Sequence, residues 1–250
     1  MATFVLVHGA MHGGWCWRDV RSQLVQQGHD VFTPTLTGQG DRAHLLTRDT
    51  GVETHVEDIA ALLDFEDLRQ VHLVFHSYSG ILAGPIAQVC GERLASVIYL
   101  GAFLGDDGES ILDVEPSPIA QRYLEMASEL GDGWRVPASP AFLAQWGLTD
   151  PKLVEWVAVR LTDFPLRCVT DPVHFDPQHL AALPQSYIRH VRPQMESLNQ
   201  SFERAESRGF DLYDIESCHE VMVEAPGNLA LLLQQISSAF TELPDIHSRN

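Results

Sequence analysis

The sequence predicts an α/β domain built on a mostly parallel sheet covered by helices on both faces. Three observations carry this. Short β-rich runs alternate with segments whose apolar residues recur at helical spacing. Strands separated by helices pair in parallel, and parallel sheets bury both faces. The alternation breaks from about residue 106 to residue 184 and then resumes, which reads as an insertion at the carboxyl ends of the strands, where open α/β sheets bind ligands.

The elements follow in order. FVLV (Phe4 to Val7) is the first strand. Trp17, Val20 and Leu24 mark a helix that Gly28 stops. VFTPTL (Val31 to Leu36) reads as a second strand. Val56, Ile59, Ala60 and Leu63 share one helical face. Val71 to Phe75 is a strand, followed by a helix over Ser79 to Val89. Pro85 requires that helix to kink or to start late. Ser96 to Leu100 is the next strand. After the insertion come a strand (Ser186 to Val191), a helix (Ser197 to Ser207), a strand (Phe210 to Ile215) and a helix from Pro226 through Phe240. The last ten residues are polar and expected to be loose. Residues 1–105 and 185–250 then form one core, with 106–184 a helical cap inserted in the same domain.

The 250 residues, 45% hydrophobic and 20% charged, suit one globular domain with a sizeable core. There is no apolar run long enough to span a bilayer. MATFVLVHGA has no basic n-region and no cleavage pattern, so no signal peptide is read. Cys16, Cys90, Cys168 and Cys218 are scattered, as expected of reduced thiols in a cytoplasmic protein. A formal charge of −18 disfavours nucleic acid and anionic membranes as partners.

Three stretches carry chemistry. In VFHSYSG, Ser77 ends an apolar strand and precedes a helix-forming stretch, the context of a nucleophile elbow. The glycine positions of the usual G-x-S-x-G turn are Phe75 and Ser79, so a plain turn with a capping serine stands beside that reading. In VHGAMHGGWCW, a glycine-rich loop after the first strand exposes N–H groups that could hold an oxyanion. In ESCHEVMVEAP, His219 follows the last strand and could reach Ser77 as a general base. No H-x-x-x-H or H-E-x-x-H pattern is present, so no metal site is expected.

Together these stretches resemble the α/β-hydrolase superfamily, and more narrowly the branch holding plant methyl-ester esterases, hydroxynitrile lyases and bacterial pyrethroid-type carboxylesterases. FVLVHGAMHGGWCW, HSYSG, VIYLGAF and CHEVMVEAP carry the resemblance, which covers nearly the whole chain. It implies the α/β-hydrolase fold, with Ser77 as nucleophile, His219 as base, and the backbone N–H groups of Ala10 and Tyr78 as oxyanion hole. It implies an acyl-enzyme esterase that needs no cofactor. The family's acid follows the strand read here as SYIRHV, where this chain has Arg192 and Pro193. Glu196 is the nearest carboxylate and is expected to orient His219, with Asp106 and Asp107 as rivals.

The lyases of this branch carry a threonine at the position of Gly9 and a lysine at that of Glu220, so the resemblance disfavours cyanide chemistry. The alternatives are a cofactor-independent lyase or cyclase, or a ligand receptor with a degenerate site. Trp134, Phe142, Trp146, Leu148, Trp156 and Phe164 furnish the cap with apolar surface. Trp134, Trp146 and Trp156 are the expected contacts for a neutral apolar ester or lactone. A homodimer is compatible with this reading.

Overall fold

The computed structural model describes residues 1–241; residues 242–250, part of the tail expected to be loose, lie outside the described residues. The strands are β1 (Thr3–Val7), β2 (Asp30–Phe32), β3 (Val71–His76), β4 (Leu94–Leu100), β5 (Arg135–Val136), β6 (Phe164–Pro165), β7 (Gln185–His190) and β8 (Asp211–Ile215). Six form one sheet in the order β2-β1-β3-β4-β7-β8, with every pairing parallel. β5 and β6 make a separate antiparallel ribbon. This is the α/β-hydrolase fold.

The helices are α1 (Arg18–Gln26), α2 (Val52–Phe65), α3 (Ala83–Cys90), α4 (Ile111–Val114), α5 (Ser117–Leu130), α6 (Ala141–Gln145), α7 (Pro151–Ala158), α8 (Arg167–Thr170), α9 (Pro177–Ala181), α10 (Asn199–Ser207), α11 (Val221–Glu224) and α12 (Pro226–Thr241). Successive residues of the central strands serve opposite faces, as the two-residue period of a strand requires. Leu73, Phe75, Val97 and Tyr99 pack with Ile59 and Leu63 of α2 and Ile86 of α3. Val74, Ile98 and Leu100 pack with Val20 and Leu24 of α1 and Leu229 and Leu233 of α12. These continuous apolar runs have two layers of helix to meet, which is why they do not alternate with polar residues.

The second strand is shorter than VFTPTL suggests and ends at Phe32. Beyond it the backbone serves the loop after β1 instead of the sheet: Gly14 N–H donates to Thr35 Oγ1 (2.9 Å) and Leu36 N–H to His8 Nε2 (3.0 Å). After β3 the chain makes a 3-10 turn (Ser77–Leu82), and the α-helix starts late, at Ala83. Pro85 thus falls in the first helical turn, where its missing N–H costs no hydrogen bond.

The inserted stretch between β4 and β7 holds α4 to α9 together with the β5–β6 ribbon, so it is not wholly helical. Thr162 ties it to the loops at the strand ends, donating its N–H to the Met11 carbonyl (3.0 Å) and accepting from Gly40 N–H at Oγ1 (2.9 Å). No helix among the described residues is long and apolar enough to cross a membrane.

Candidate active site

Ser77 stands at the carboxyl end of β3 with φ +56°, in the left-handed region. For a residue with a Cβ this costs on the order of 1–3 kcal/mol and needs a surrounding structure that enforces it. Ser79 and Gly80 supply that structure. The Ser79 hydroxyl accepts from His76 N–H (3.0 Å) and donates to the His76 carbonyl (2.9 Å), with the Val7 carbonyl at 3.2 Å. A Cβ on Gly80 would lie 2.4 Å from the Phe103 carbonyl oxygen, so only glycine lets the turn approach the chain after β4. Phe103 N–H in turn donates to the Ser77 carbonyl (3.0 Å). The Phe75 ring is fully buried in the sheet core beside Tyr99, away from the crowded turn.

The loop after β1 lies against the elbow. A Cβ on Gly9 would sit 2.9 Å from the Cβ of Ser77, so a larger residue there would displace the serine. His8 braces this loop: because Nε2 accepts from Leu36 N–H, Nδ1 carries the proton and donates to the Gly9 carbonyl (2.8 Å). Burial pushes its pKa down to about 3. Met11 at φ +67° turns the chain, and its N–H is taken by Gln39 Oε1 (2.7 Å).

His219 is buried, and its backbone is held on both sides: its N–H donates to the Trp146 carbonyl (3.0 Å) and its carbonyl accepts from His76 Nε2 (3.0 Å). Its Nδ1 lies 3.1 Å from Nε2 of His190, the last residue of β7. His190 Nδ1 lies 3.0 Å from the Pro193 carbonyl, which can only accept, so that nitrogen bears the hydrogen. Nε2 of a neutral His190 then accepts, and His219 Nδ1–H donates to it. The remaining His219 nitrogen, Nε2, is left unprotonated, as a general base requires. Burial and the neighbouring histidines His76, His190 and His12 hold the His219 pKa well below its ordinary value. Burial also lowers that of His190. Gly101, at φ +47°, makes room for the pair: a Cβ there would lie 2.8 Å from His190 Cδ2 and 3.4 Å from His219 Nδ1.

Glu220, next in sequence, is fully buried and faces His12 at 3.1 Å. His12 has both ring nitrogens on acceptors, Glu220 Oε2 and the Ala10 carbonyl (2.8 Å), so it carries two hydrogens and a positive charge. Burial is the largest single influence and opposes charge on both partners, but the opposite charge and the hydrogen bonds together outweigh it: His12 titrates above its ordinary value and Glu220, helped by His76 and His190, below. Through the Ala10 carbonyl, this ion pair fixes the loop beside Ser77.

Ser77, His219, Ala10 and Tyr78 line one cavity, together with Trp146, Phe142 and Phe164 from the inserted segment. The other expected residues lie elsewhere. Glu196 is exposed and lines a separate outer cleft, so His190 and not Glu196 occupies the position beside His219 Nδ1. Asp106 pairs with Arg208 (2.8 Å), and Asp107 accepts from Phe175 N–H (3.0 Å). Trp156 packs against Trp15, Arg18 and Arg160 at the surface, and Trp134 lies beside Arg48 and Arg135. Of the three expected tryptophans only Trp146 reaches the cavity. Among the described residues no group of three or more His, Cys, Asp or Glu side chains is placed to hold a metal ion.

His190 escapes a reading that looks for a carboxylate, although it stands at the strand end where the acid was sought. His12 carried no signal beyond its place in a glycine-rich loop.

The profile of the alpha/beta hydrolase family matches residues 4–230. The chain is 44% identical to a carbendazim hydrolyzing esterase of Nocardioides sp. (strain SG-4G) over 119 residues, 48% of this chain and 49% of that esterase. That match therefore spans about half the length of the relative. Methylesterase 7 of Arabidopsis thaliana is 24% identical across 95% of this chain and 96% of its own. An extracellular alpha/beta-hydrolase from a Paenibacillus species superposes with a TM-score of 0.83 at 18% identity, covering 94% of this chain and 98% of that one. A pyrethroid hydrolase from Sphingobium faniae JZ-2 does so with a TM-score of 0.73 at 22% identity, covering 97% and 99%. At these identities the two structures share the fold.

Proposed function

The chain belongs to the alpha/beta hydrolase family, and from that premise we propose that it is a serine esterase cleaving neutral, apolar carboxylic esters through an acyl-enzyme. The observation that carries this reading is the directed hydrogen-bond chain from the Pro193 carbonyl through His190 to His219, which leaves His219 Nε2 free to accept a proton on the wall of the cavity that also holds Ser77.

Ser77 Oγ attacks the ester carbonyl while its proton passes to His219 Nε2. The oxyanion is held by the N–H groups of Ala10 and Tyr78. The imidazolium then gives the same proton to the departing alcohol. Water attacks the acyl-enzyme with His219 again as base, and the acid and free Ser77 result. His190 takes the orienting part of the usual aspartate by accepting from His219 Nδ1–H, but it brings no negative charge. Glu220 is the buried carboxylate nearest in sequence; burial lowers the pKa of His76 and His190, and the Glu220 charge opposes that lowering without reversing it. A neutral orienting group stabilises the imidazolium less than aspartate does, so turnover should be slow for a member of this fold.

The segment between β4 and β7 acts as a cap that shapes the pocket, and its apolar lining suits an uncharged ester. The esterase names of the relatives support this class, and carbendazim is one substrate to try. Hydrolysis of p-nitrophenyl acetate and butyrate by the wild-type chain and by Ser77→Ala tests the reading. Wild-type turnover lost in the variant supports it, and equal rates overturn it.

A further inference from the structure

The cavity has a polar end that hydrolysis at Ser77 does not use. Glu115, Tyr123, Phe142, Trp146, Met195 and Ser197 line both the inner cavity and the outer cleft, so they form the neck between the two. Phe142, Trp146 and Met195 make this neck largely apolar. Glu115 is 7% exposed and Ser197 2% exposed. Glu115 Oε2 and Ser197 Oγ are both buried without a hydrogen-bond partner. A polar atom left unpaired in such surroundings costs about 1–3 kcal/mol, so a ligand that pairs both atoms recovers that cost.

The hydrogen-bond pattern of Glu115 indicates which ligand. Tyr123 O–H donates to Oε1 (3.2 Å), which makes Oε1 the carbonyl-like oxygen. Burial pushes the carboxyl up to about 8, so at neutral pH it is a carboxylic acid with its hydrogen on Oε2. An acid group in this state offers a donor at Oε2 and a second lone pair at Oε1, side by side. Its complement is a planar group with an acceptor next to an N–H, which closes a ring of two hydrogen bonds. Ser197 Oγ, free to donate or accept, can donate to the second lone pair of a carbonyl acceptor or serve a third polar atom. Charged ligands fit poorly, because the neck would leave their charge desolvated.

We propose that Glu115 and Ser197 form a recognition subsite for an uncharged nitrogen-bearing group of the type O=C–N–H or N=C–N–H, carried on an otherwise apolar substrate. The proposal deepens the esterase reading by naming part of the substrate, and takes from it only that the ligand of this cavity is a substrate.

Binding to the Ser77→Ala chain tests this apart from hydrolysis. The probes are 2-quinolone, a neutral lactam with O=C–N–H, and N-methyl-2-quinolone, which lacks the donor and keeps the ring. Titration calorimetry should show 2-quinolone bound at least about tenfold more tightly, the scale of one well-made hydrogen bond to a buried group. Glu115→Leu should reduce the ratio to near one, Glu115→Gln should keep most of it, since an amide also offers donor and acceptor, and Ser197→Ala should weaken both probes. Equal binding of the two probes by the Ser77→Ala chain overturns the proposal without needing the Glu115 variants to fold. A preference that survives Glu115→Leu also overturns it. Ester hydrolysis absent from the wild-type chain, or undiminished by Ser77→Ala, with the preference intact would overturn the esterase reading and leave the subsite standing.

Discussion

Replacing Glu115 with glutamine should stabilise the protein, and by an amount that grows with pH. Burial raises the Glu115 carboxyl from 4.5 to about 8, so the folded state holds its proton more tightly than the unfolded chain. The stability tied to that proton is fully present below pH 4.5 and is lost as pH rises toward 8. Each pH unit in that window removes about 1.4 kcal/mol. Between pH 4.5 and pH 7 the loss comes to about 3 kcal/mol. Glutamine has no proton to lose and still offers an oxygen to Tyr123 O–H. The variant and the wild type should therefore match near pH 4.5 and diverge by about 3 kcal/mol at pH 7, roughly 6–12 °C in melting temperature for a domain of this size. Urea or thermal unfolding of both proteins at half-unit steps from pH 5 to 8 measures the difference. Because the rest of the chain is shared, the titration of the buried histidines cancels. A difference that stays constant with pH would refute the reasoning, since it would mean that Glu115 titrates alike in the folded and unfolded chains.

Three further outcomes follow from the site. Ser77→Gly should abolish ester hydrolysis yet raise stability by about 1 kcal/mol, because glycine adopts φ +56° without strain; a destabilised variant in urea unfolding would mean that Ser77 is not strained. His190→Ala should lower kcat on p-nitrophenyl butyrate by about a hundredfold or more with little change in KM, because His219 loses the acceptor that sets its tautomer, whereas Glu196→Gln should be nearly silent; steady-state kinetics showing the reverse would return the orienting role to the carboxylate. Trp146→Ala should shift preference between acetate and longer acyl esters, and Trp156→Ala should not, because only Trp146 lines the cavity.

The sheet was legible because its central strands are continuous apolar runs, the Ser77 position because it follows such a run, and the His219 position because it falls between the last strand and the last helix. The extent of β2 was not, since Thr35 and Leu36 look like strand residues but spend their hydrogen bonds on the loop after β1. The partner of His219 Nδ1 was illegible for a different reason. A search for a carboxylate finds Glu196, but histidine fills the geometric role once a carbonyl fixes its tautomer, and nothing local in RHVRP announces the Pro193 carbonyl as that partner. Gly101, directly after β4, carries no side chain that would announce a role in the site. In the structure it is the space that the His190–His219 pair needs. The tryptophans misled because apolar content in a cap does not say which face it serves; Trp134 and Trp156 stack with arginines instead.

Covalent labelling by diethyl p-nitrophenyl phosphate tests the central claim most directly, because at stoichiometric concentration the reagent phosphorylates a serine that a neighbouring base activates far faster than any other side chain. The wild-type chain should release about one equivalent of p-nitrophenol, lose its esterase activity in step, and carry the diethylphosphoryl mass on the peptide that contains Ser77, as a nucleophile turned over through an acyl-enzyme requires. His219→Ala should take up no label. An adduct on another residue, or ester hydrolysis that continues unchanged in the presence of the reagent, would contradict the account.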